Sequence, residues 1–399
     1  MADRPLPPDP APVTPAPPGV ESDPAVPAPP KSTGDLLVRL LALGAVLFLF
    51  VIALEVMGTG IKGISKSSFD LEGLLNGATK TPLLGLITGI LVTSLVQSSS
   101  TTTSIVVTLV AAGTLSIEGA IPVIMGANIG TTVTNTIVSM GHITRPEEFR
   151  RAMAGATVHD FFNWTAVLLL LPLELAFGVL SKSATAIASL IPGLDTSEPG
   201  DTVFDLVGDW IYGLLGENPW LAAALGLVLL FVALRYLVVV LKSLVLGRSE
   251  GMLHKYIFGA PLVAMLAGMV LTFMVQSSSV TTSIVIPLVG AGILTVRQVF
   301  PYMLGSNVGT TATGLLAAAV AVTSGEPAAE AGLVVALCHM LFNVFGIVLI
   351  YPVPFVRELP IRMAEFVGEL AYKNRAYAIA YLVGLFYVLP ILLEWLLPH

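Results

Sequence analysis

The stretch VQSSSTTTSIVVTLVAAGTL (residues 96–115) recurs as VQSSSVTTSIVIPLVGAGIL (residues 275–294). The likeness continues from IPVIMGANIGTTVT (residues 121–134) into FPYMLGSNVGTTAT (residues 300–313), at a constant offset of 179 residues. After a one-residue slip, HDFFN (residues 159–163) corresponds to HMLFN (residues 339–343). An internal duplication therefore organises the chain, and each copy carries the same kinds of polar residue.

The composition indicates that lipid surrounds most of the chain. Of its 399 residues, 55% are hydrophobic and 11% are charged, whereas soluble domains carry about 25% charged residues. Apolar runs that approach the length of a membrane-spanning helix, about 20 residues, recur at residues 36–56 and 332–350. We therefore expect an all-α polytopic membrane protein with no nucleic-acid partner, because the net charge is −7 and no basic stripe offsets it.

Changes in composition divide the chain into segments. The amino-terminal residues are rich in proline and poor in large apolar side chains, so they cannot offset the entropy of ordering. We expect a disordered tail (1–34), a flanking transmembrane helix and loop (35–80), repeat 1 (81–180), an external connecting loop (181–219), a linking transmembrane helix (220–259), repeat 2 (260–353), and a cytoplasmic segment with the final transmembrane helix (354–399).

Loop charges predict opposite orientations for the two repeats, because short basic loops tend to stay in the cytoplasm. The segment after repeat 1, GHITRPEEFRR (residues 141–151), has three arginines, whereas the matching VAVTSGEPAAE (residues 320–330) has no basic residue. The connection at residues 181–219 holds one lysine against six acids and is placed outside. This pattern is typical of inverted-topology repeats, in which substrates bind near the membrane midplane.

The QSSS strings place many polar groups between apolar runs. Unpaired polar groups in hydrocarbon cost several kcal/mol, so non-helical or polar backbone at membrane depth occurs only where it is buried in protein or lines a cavity. Each copy is therefore predicted to form a re-entrant hairpin or a broken helix. The alternative is that hydroxyls return to their own helix and glycines permit tight helix packing.

The strings GANIGTT and GSNVGTT place glycine, asparagine and threonine beside a predicted helix start. Exposed N–H groups and the positive end of a helix favour an anion, so we expect Asn128 and Asn307 to take part in binding phosphate or another oxyanion. Hydroxyl, amide and carbonyl oxygens also suit sodium in broken-helix transporters. One site can therefore serve both ions.

ATVHDFFNW (residues 156–164) places Asp160 at the start of an apolar segment, while repeat 2 has Met340 at the matching position. An ionisable residue within a membrane is a functional candidate by default. Asp160 is predicted to add a cation ligand in repeat 1, with helix capping at the interface as the alternative. For His159 and His339, hydrogen bonding or packing is favoured over ion binding.

These strings, together with EFRRAMAGATVHDFFNW (residues 148–164) and ALCHMLFNVFGIVLIYPVP (residues 336–354), resemble the type II sodium-dependent phosphate cotransporters, in a bacterial form. The resemblance covers about residues 82–355. It implies sodium-coupled uptake of inorganic phosphate by alternating access at the plasma membrane, with sodium as co-substrate and no organic cofactor. It also implies electrogenic transport, with Asp160 tied to an additional sodium.

The resemblance assigns candidate ligands in both repeats. The phosphate candidates are the QSSS serines, namely Ser98, Ser99, Ser100, Ser277, Ser278 and Ser279. The sodium candidates are Gln276, Ser277, Ser306, Thr310 and Thr313, with Gln97 and Thr131 as the related region of repeat 1.

Three alternatives stay open from the residues alone. The same machinery could carry another small oxyanion, such as sulfate or arsenate. An intramembrane hydrolase could use a QSSS serine with His159 and Asp160, although neighbouring residues make an awkward Ser-His-Asp relay. A scaffold without transport activity predicts no effect of replacing Gln276 or Ser277.

Overall fold

A computed structural model describes residues 33–65, 79–191, 203–245, 257–324, 326 and 328–396. Within these ranges the chain is helical and contains no strand. Most of the predicted Pro-rich tail (residues 1–32) and residues 192–202 of the predicted external connection lie outside the described residues.

Sixteen α-helices are described, and we number them in chain order. They are α1 (Thr33–Ser65), α2 (Pro82–Val96), α3 (Ser99–Ala111), α4 (Ile117–Gly130), α5 (Val133–Ser139), α6 (Pro146–Phe177), α7 (Val179–Ala188), α8 (Val203–Leu214), α9 (Pro219–Val245), α10 (Pro261–Val275), α11 (Ser278–Gly290), α12 (Val296–Thr323), α13 (Ala329–Ile350), α14 (Pro354–Lys373), α15 (Ala376–Val383) and α16 (Leu389–Leu396).

Six helical segments in the described part are long and apolar enough to cross a membrane. They are Thr33–Met57, Ile117–His142, Pro146–Phe177, Val296–Thr323, Ala329–Ile350 and Ala376–Leu396. The prediction of an all-α polytopic membrane protein is therefore confirmed. The segment predicted as an external loop is partly helical, because α7 and α8 lie within or overlap it.

Both QSSS strings interrupt a helix at the same place. Helix α2 ends at Val96 and α3 begins at Ser99, while α10 ends at Val275 and α11 begins at Ser278. Thr93 donates to the Thr102 hydroxyl at 3.0 Å, although nine residues of continuous helix would separate them by about 13 Å along the axis. The chain therefore reverses sharply at the QSSS string, and the helices on either side form a hairpin.

The two repeats meet with their ends exchanged. Ala328, after α12, donates its N–H to the carbonyl of Ala111, before α4, at 2.9 Å. Arg151, after α5, donates its Nε to the carbonyl of Gly290, before α12, at 2.9 Å. The start of the α4–α5 segment thus lies beside the end of α12, and its end lies beside the start of α12. Opposite ends of the two equivalent segments are therefore neighbours.

Glycines bring α4 close to α2, and α12 close to α10. A Cβ atom on Gly126 would overlap the carbonyl of Leu86, and one on Gly305 would overlap the carbonyl of Met265. The glycines of GANIG and GSNVG therefore permit helix packing, which is the alternative that the sequence left open for them.

The remaining helices flank this core. Helix α1 packs against α8 and α9. Helix α14 is tied to repeat 2 by Arg297, which pairs with Glu358 at 2.5 Å and Glu365 at 3.0 Å. It is tied to repeat 1 by Arg150, which pairs with Glu369 at 2.9 Å. In the terminal segment, the π-helical turn Gly384–Val388 and α16 pack against α2.

Candidate functional site

The residue at each helix break is a glutamine in the left-handed backbone region, with φ of 57° at Gln97 and 53° at Gln276. This conformation is costly for any residue other than glycine. Hydrogen bonds made by the two glutamine side chains offset this cost. Gln97 donates to the carbonyl of Ser94, and Gln276 donates to that of Phe273 at 2.5 Å. Each glutamine thus covers a carbonyl in the last turn of the preceding helix.

The amide oxygens of both glutamines face the second half of their own repeat. Thr134 donates to Gln97 Oε1 at 2.9 Å, and Thr313 donates to Gln276 Oε1 at 2.6 Å. Thr134 is the repeat 1 counterpart of Thr313. Thr134 was not among the residues singled out from the sequence. The constant offset between the repeats was the signal that could have found it.

In repeat 2 three hydroxyls form a compact cluster. Ser306 Oγ lies 2.5 Å from the Thr272 hydroxyl and 2.9 Å from that of Thr281, and the two threonine hydroxyls are 2.6 Å apart. Repeat 1 has the corresponding threonine pair, Thr93 and Thr102. It lacks the third hydroxyl, because Ala127 stands where repeat 2 has Ser306.

The threonines of the two GTT strings turn to their own helices. Thr131 donates to the carbonyl of Ala127 at 2.8 Å, and Thr310 donates to that of Ser306 at 2.9 Å. Each hydroxyl oxygen keeps its lone pairs for another partner. Both threonines are therefore still able to coordinate a cation.

Two hydrogen bonds cross between the repeats beside the QSSS strings. Thr313 donates to the Ser100 hydroxyl at 3.4 Å. Thr282 donates to Asn135 Oδ1 at 2.8 Å. Because Thr313 also bonds Gln276, a sodium candidate of repeat 2 touches a phosphate candidate of repeat 1. The structure therefore brings residues of both candidate sets to one interface.

The QSSS serines surround the starts of α3 and α11. Ser98 caps α3, because its hydroxyl accepts the N–H of Thr101 at 3.2 Å. Ser99, Ser100 and Ser278 are buried, while Ser277 and Ser279 are partly buried. The first N–H groups of a helix and its positive end attract anions. The starts of α3 and α11 supply that geometry.

The helix start expected beside GSNVGTT is wrong, whereas in repeat 1 helix α5 does begin at Val133, directly after GANIGTT. Asn128 lies near the end of α4, and Asn307 lies inside α12, where the helix continues through GTT. In repeat 2, α12 stays helical from Val296 to Thr323 and so runs through the GSNVGTT string. The backbone N–H groups there are used within the helix and do not form an anion cradle.

Both asparagines bind histidines of the opposite repeat. Asn307 Oδ1 pairs with His159 Nε2, and Asn128 Oδ1 pairs with His339 Nε2 at 3.3 Å. Asn163 links the two pairs, since it donates to the carbonyl of Asn128 and accepts from Asn307 Nδ2, each at 2.8 Å. The histidines thus have the hydrogen-bonding role favoured from the sequence. The asparagines join the repeats, and phosphate binding by them remains a prediction.

Asp160 lies fully buried inside α6, so it does not cap a helix end. Its Oδ2 accepts a hydrogen bond from the hydroxyl of Tyr381 at 2.7 Å, whereas Oδ1 has no hydrogen-bond partner among the described residues. No direct hydrogen bond to Gln97 or Thr131 occurs in the described part of the chain. The carboxyl group lies near the side chain of Thr132, the sequence neighbour of Thr131.

Several buried hydroxyls near the repeat 1 hairpin have no hydrogen-bond partner within the described residues. They are those of Ser94, Thr103, Ser104 and Thr136. Buried polar groups are nearly always hydrogen-bonded to protein, water or ligand. This polar surplus distinguishes the region from an ordinary apolar helix interface.

Comparison with known proteins bears on the function. The profile of a family described as Na+/Pi-cotransporter matches residues 49–194 and 222–352. Sodium-dependent phosphate transport protein 2A from Ovis aries is 36% identical over 90% of this chain and 68% of its own length. The 2A protein from Rattus norvegicus is 38% identical, with 90% and 67% covered. The 2B protein from Homo sapiens is 34% identical, with 88% and 64% covered.

No solved structure gives a significant match to this chain.

Proposed function

Because the chain belongs to the Na+/Pi-cotransporter family, we propose that it carries inorganic phosphate into the cell together with sodium. The single observation that carries this proposal is the hydrogen bond from Thr313 to Ser100. It joins the Gln276 cluster of repeat 2 to the QSSS serines of repeat 1. Bound sodium and bound phosphate would therefore lie close enough to interact electrostatically.

The charge of the site supports the coupling to sodium. Neither the two QSSS strings (residues 96–115 and 275–294) nor the two strings that follow (residues 121–134 and 300–313) contains lysine or arginine. Within these strings, a phosphate anion meets hydroxyls and helix N-termini but no fixed cation that would neutralise it. Sodium supplies that charge. Since coupling between two ligands is reciprocal, phosphate must tighten sodium binding by the factor by which sodium tightens phosphate binding.

The assignment of ligands follows this geometry. Phosphate would bind the QSSS serines at the starts of α3 and α11. One sodium would bind the oxygens grouped around Gln276, which are those of Ser277, Ser306, Thr310 and Thr313. Gln97 and Thr131 form the related polar region of repeat 1, and a further cation would bind Asp160.

Transport by alternating access, at the plasma membrane, is part of the proposal. The two contacts that bring opposite ends of the α4–α5 segment and α12 together support an inverted arrangement of the repeats, in which one half rocks against the other around a central site. A further cation bound to the Asp160 carboxylate would make transport electrogenic. Each net charge moved through the full membrane potential changes the free energy by about 2.3 kcal/mol per 100 mV.

The family is one of transporters and not of enzymes, so the hydrolase alternative is set aside. Transport of another small oxyanion by the same site is distinguished by competition. Excess sulfate or arsenate that displaces labelled phosphate more strongly than unlabelled phosphate does would identify the competing anion as the preferred substrate.

Uptake of radiolabelled phosphate into proteoliposomes tests the proposal. An inward sodium gradient is expected to drive uptake, an equal potassium gradient is not, and Ser277→Ala is expected to reduce the sodium-driven rate. Ser189→Ala, which changes an exposed serine at the end of α7, is the matched control. Uptake that is equal in sodium and potassium would refute the coupling, and wild-type uptake by Ser277→Ala would refute that ligand assignment.

A further inference from the structure

The terminal helical segment reaches the polar centre of repeat 1 through two tyrosines. Tyr381, on α15, donates to Asp160 Oδ2 at 2.7 Å. Tyr387 donates to the carbonyl of Ser94 at 3.0 Å, in the last turn of α2 before the helix break. The segment lies outside both repeats, so no internal symmetry requires these contacts. They connect Asp160 on α6 with the QSSS hairpin through a third element.

Tyr381 is held in place on both sides. Its ring lies 6.1 Å from that of Phe161 and 6.0 Å from that of Phe386, which is fully buried. Phe386 lies in the π-helical turn Gly384–Val388 that separates α15 from α16. Such turns inside helices occur frequently at functional sites. The hydroxyl of Tyr381 therefore approaches Asp160 from a fixed position.

The contact uses only one oxygen of the carboxyl group. A separation of 2.7 Å is typical of a hydroxyl that donates to a carboxylate. Oδ1 is buried and has no hydrogen-bond partner among the described residues. A hydroxyl that only satisfied a buried acid would leave this second oxygen with a large desolvation cost. Tyr381 therefore holds one oxygen, and the other is available to a cation, with the Thr132 side chain near the carboxyl group.

We propose that Tyr381 is a positioning residue for the cation that binds Asp160, and that the terminal helix thereby completes the repeat 1 site. The hydroxyl holds Oδ2, fixes the rotation of the carboxylate and presents Oδ1 to sodium. The inference rests on the proposed sodium coupling. Repeat 2 has no such arrangement, because Met340 stands at the position of Asp160.

Tyr381→Phe tests this inference, because it removes the hydroxyl and keeps the ring. We expect the sodium concentration for half-maximal phosphate uptake to rise about tenfold, as loss of one hydrogen bond to a charged group implies. The phosphate KM at saturating sodium is expected to stay unchanged. A purely structural role would lower the amount of active protein and leave the sodium dependence unaltered.

Two further variants separate positioning from a general disturbance. Tyr377→Phe lies four residues earlier on the same helix and is half exposed, so it is expected to keep the wild-type sodium dependence. In an Asp160→Asn background, Tyr381→Phe is expected to cause no additional shift, because the ligand that it positions is already altered. Independent, multiplying effects of the two changes would overturn the inference.

Sodium-dependent thermal stabilisation of the purified protein gives a readout that needs no transport, since a ligand that binds only the folded state raises its Tm. Tyr381→Phe is expected to need about tenfold more sodium for the same shift. Wild-type behaviour of Tyr381→Phe in both assays would overturn the inference alone, and so would tighter sodium binding, because the tyrosine would then compete with the cation. A wild-type protein that shows neither sodium-dependent uptake nor sodium stabilisation would overturn the proposed function with it.

Discussion

Replacing Gln276 by alanine and by glycine separates what its backbone costs from what its side chain does. Gln276 occupies the left-handed region with φ of 53°, which costs a non-glycine residue about 1–2 kcal/mol. Its side chain makes hydrogen bonds of 2.5 and 2.6 Å to Phe273 and Thr313, each worth about 0.5–1.5 kcal/mol net. Alanine loses the bonds and keeps the strain. Glycine loses the bonds and the strain.

Gln276→Ala is therefore expected to lower the free energy of unfolding by about 1–3 kcal/mol, and Gln276→Gly by about 1 kcal/mol less than that. If Gln276 Oε1 is a sodium ligand, both variants must lose sodium affinity to the same extent. We expect at least a tenfold rise in the half-saturating sodium concentration, which corresponds to about 1.4 kcal/mol. Stability and sodium dependence should thus change in different orders across the three proteins.

The assays are thermal denaturation in detergent and sodium-dependent phosphate uptake in proteoliposomes. Gln298→Ala is the control, because Gln298 is exposed and caps the start of α12 away from the QSSS break. Wild-type sodium dependence in Gln276→Gly would refute the role of the side chain as a ligand. Equal stability of the alanine and glycine variants would refute the assignment of strain to the left-handed backbone.

Three further predictions follow from the arrangement of the repeats. Asp160→Asn is expected to keep the fold but to reduce or abolish phosphate-evoked current, measured electrically in a planar membrane or cell, and a full wild-type current would contradict its role. Ser306→Ala is expected to raise the sodium concentration for half-maximal phosphate uptake, because the hydroxyl cluster loses its third member. The corresponding change in repeat 1, Ala127→Ser, adds a hydroxyl there and is expected to leave the repeat 2 cluster unaffected. In a background without the native cysteine, Ala112→Cys is expected to react with an impermeant thiol reagent from outside and Ala291→Cys only from inside; labelling of both from one side would exclude inverted repeats.

The sequence was sufficient to locate the helix breaks that occur in both repeats. The QSSS strings predicted the position of both helix breaks, because consecutive polar residues in an apolar context need an irregular backbone or a polar lining. Both breaks occur within those strings, at Gln97 and Gln276. The offset between the copies also identified corresponding residues. The polar pattern is local, so it predicts the local backbone, and the duplication shows that the same backbone is expected twice.

Contacts between distant elements could not be predicted in this way. Nothing in the residues around Tyr381 indicates that its hydroxyl meets Asp160, 221 positions away. The predicted helix start at GSNVG failed for a related reason. Glycine and asparagine disfavour helix interiors, but packing of Gly305 against α10 overrides that preference and keeps Asn307 within α12.

The positions where the repeats differ would give the two proposed sodium sites different net charges. Repeat 2 has Ser306 within a cluster of hydroxyl oxygens and the uncharged Met340 at the position of Asp160, so sodium bound at the proposed site there would add a full positive charge. Repeat 1 has Ala127 and Asp160, so sodium bound at the proposed site there would neutralise a carboxylate. Sodium at the neutral site would offset the charge of phosphate nearby. The carboxylate of the acidic site would leave the empty protein negative at that point. An inside-negative potential drives a negative site outward, which favours the empty transporter in the orientation that loads from outside. In this proposal, sodium in repeat 2 neutralises the substrate, whereas the Asp160 carboxylate of repeat 1 makes transport respond to voltage.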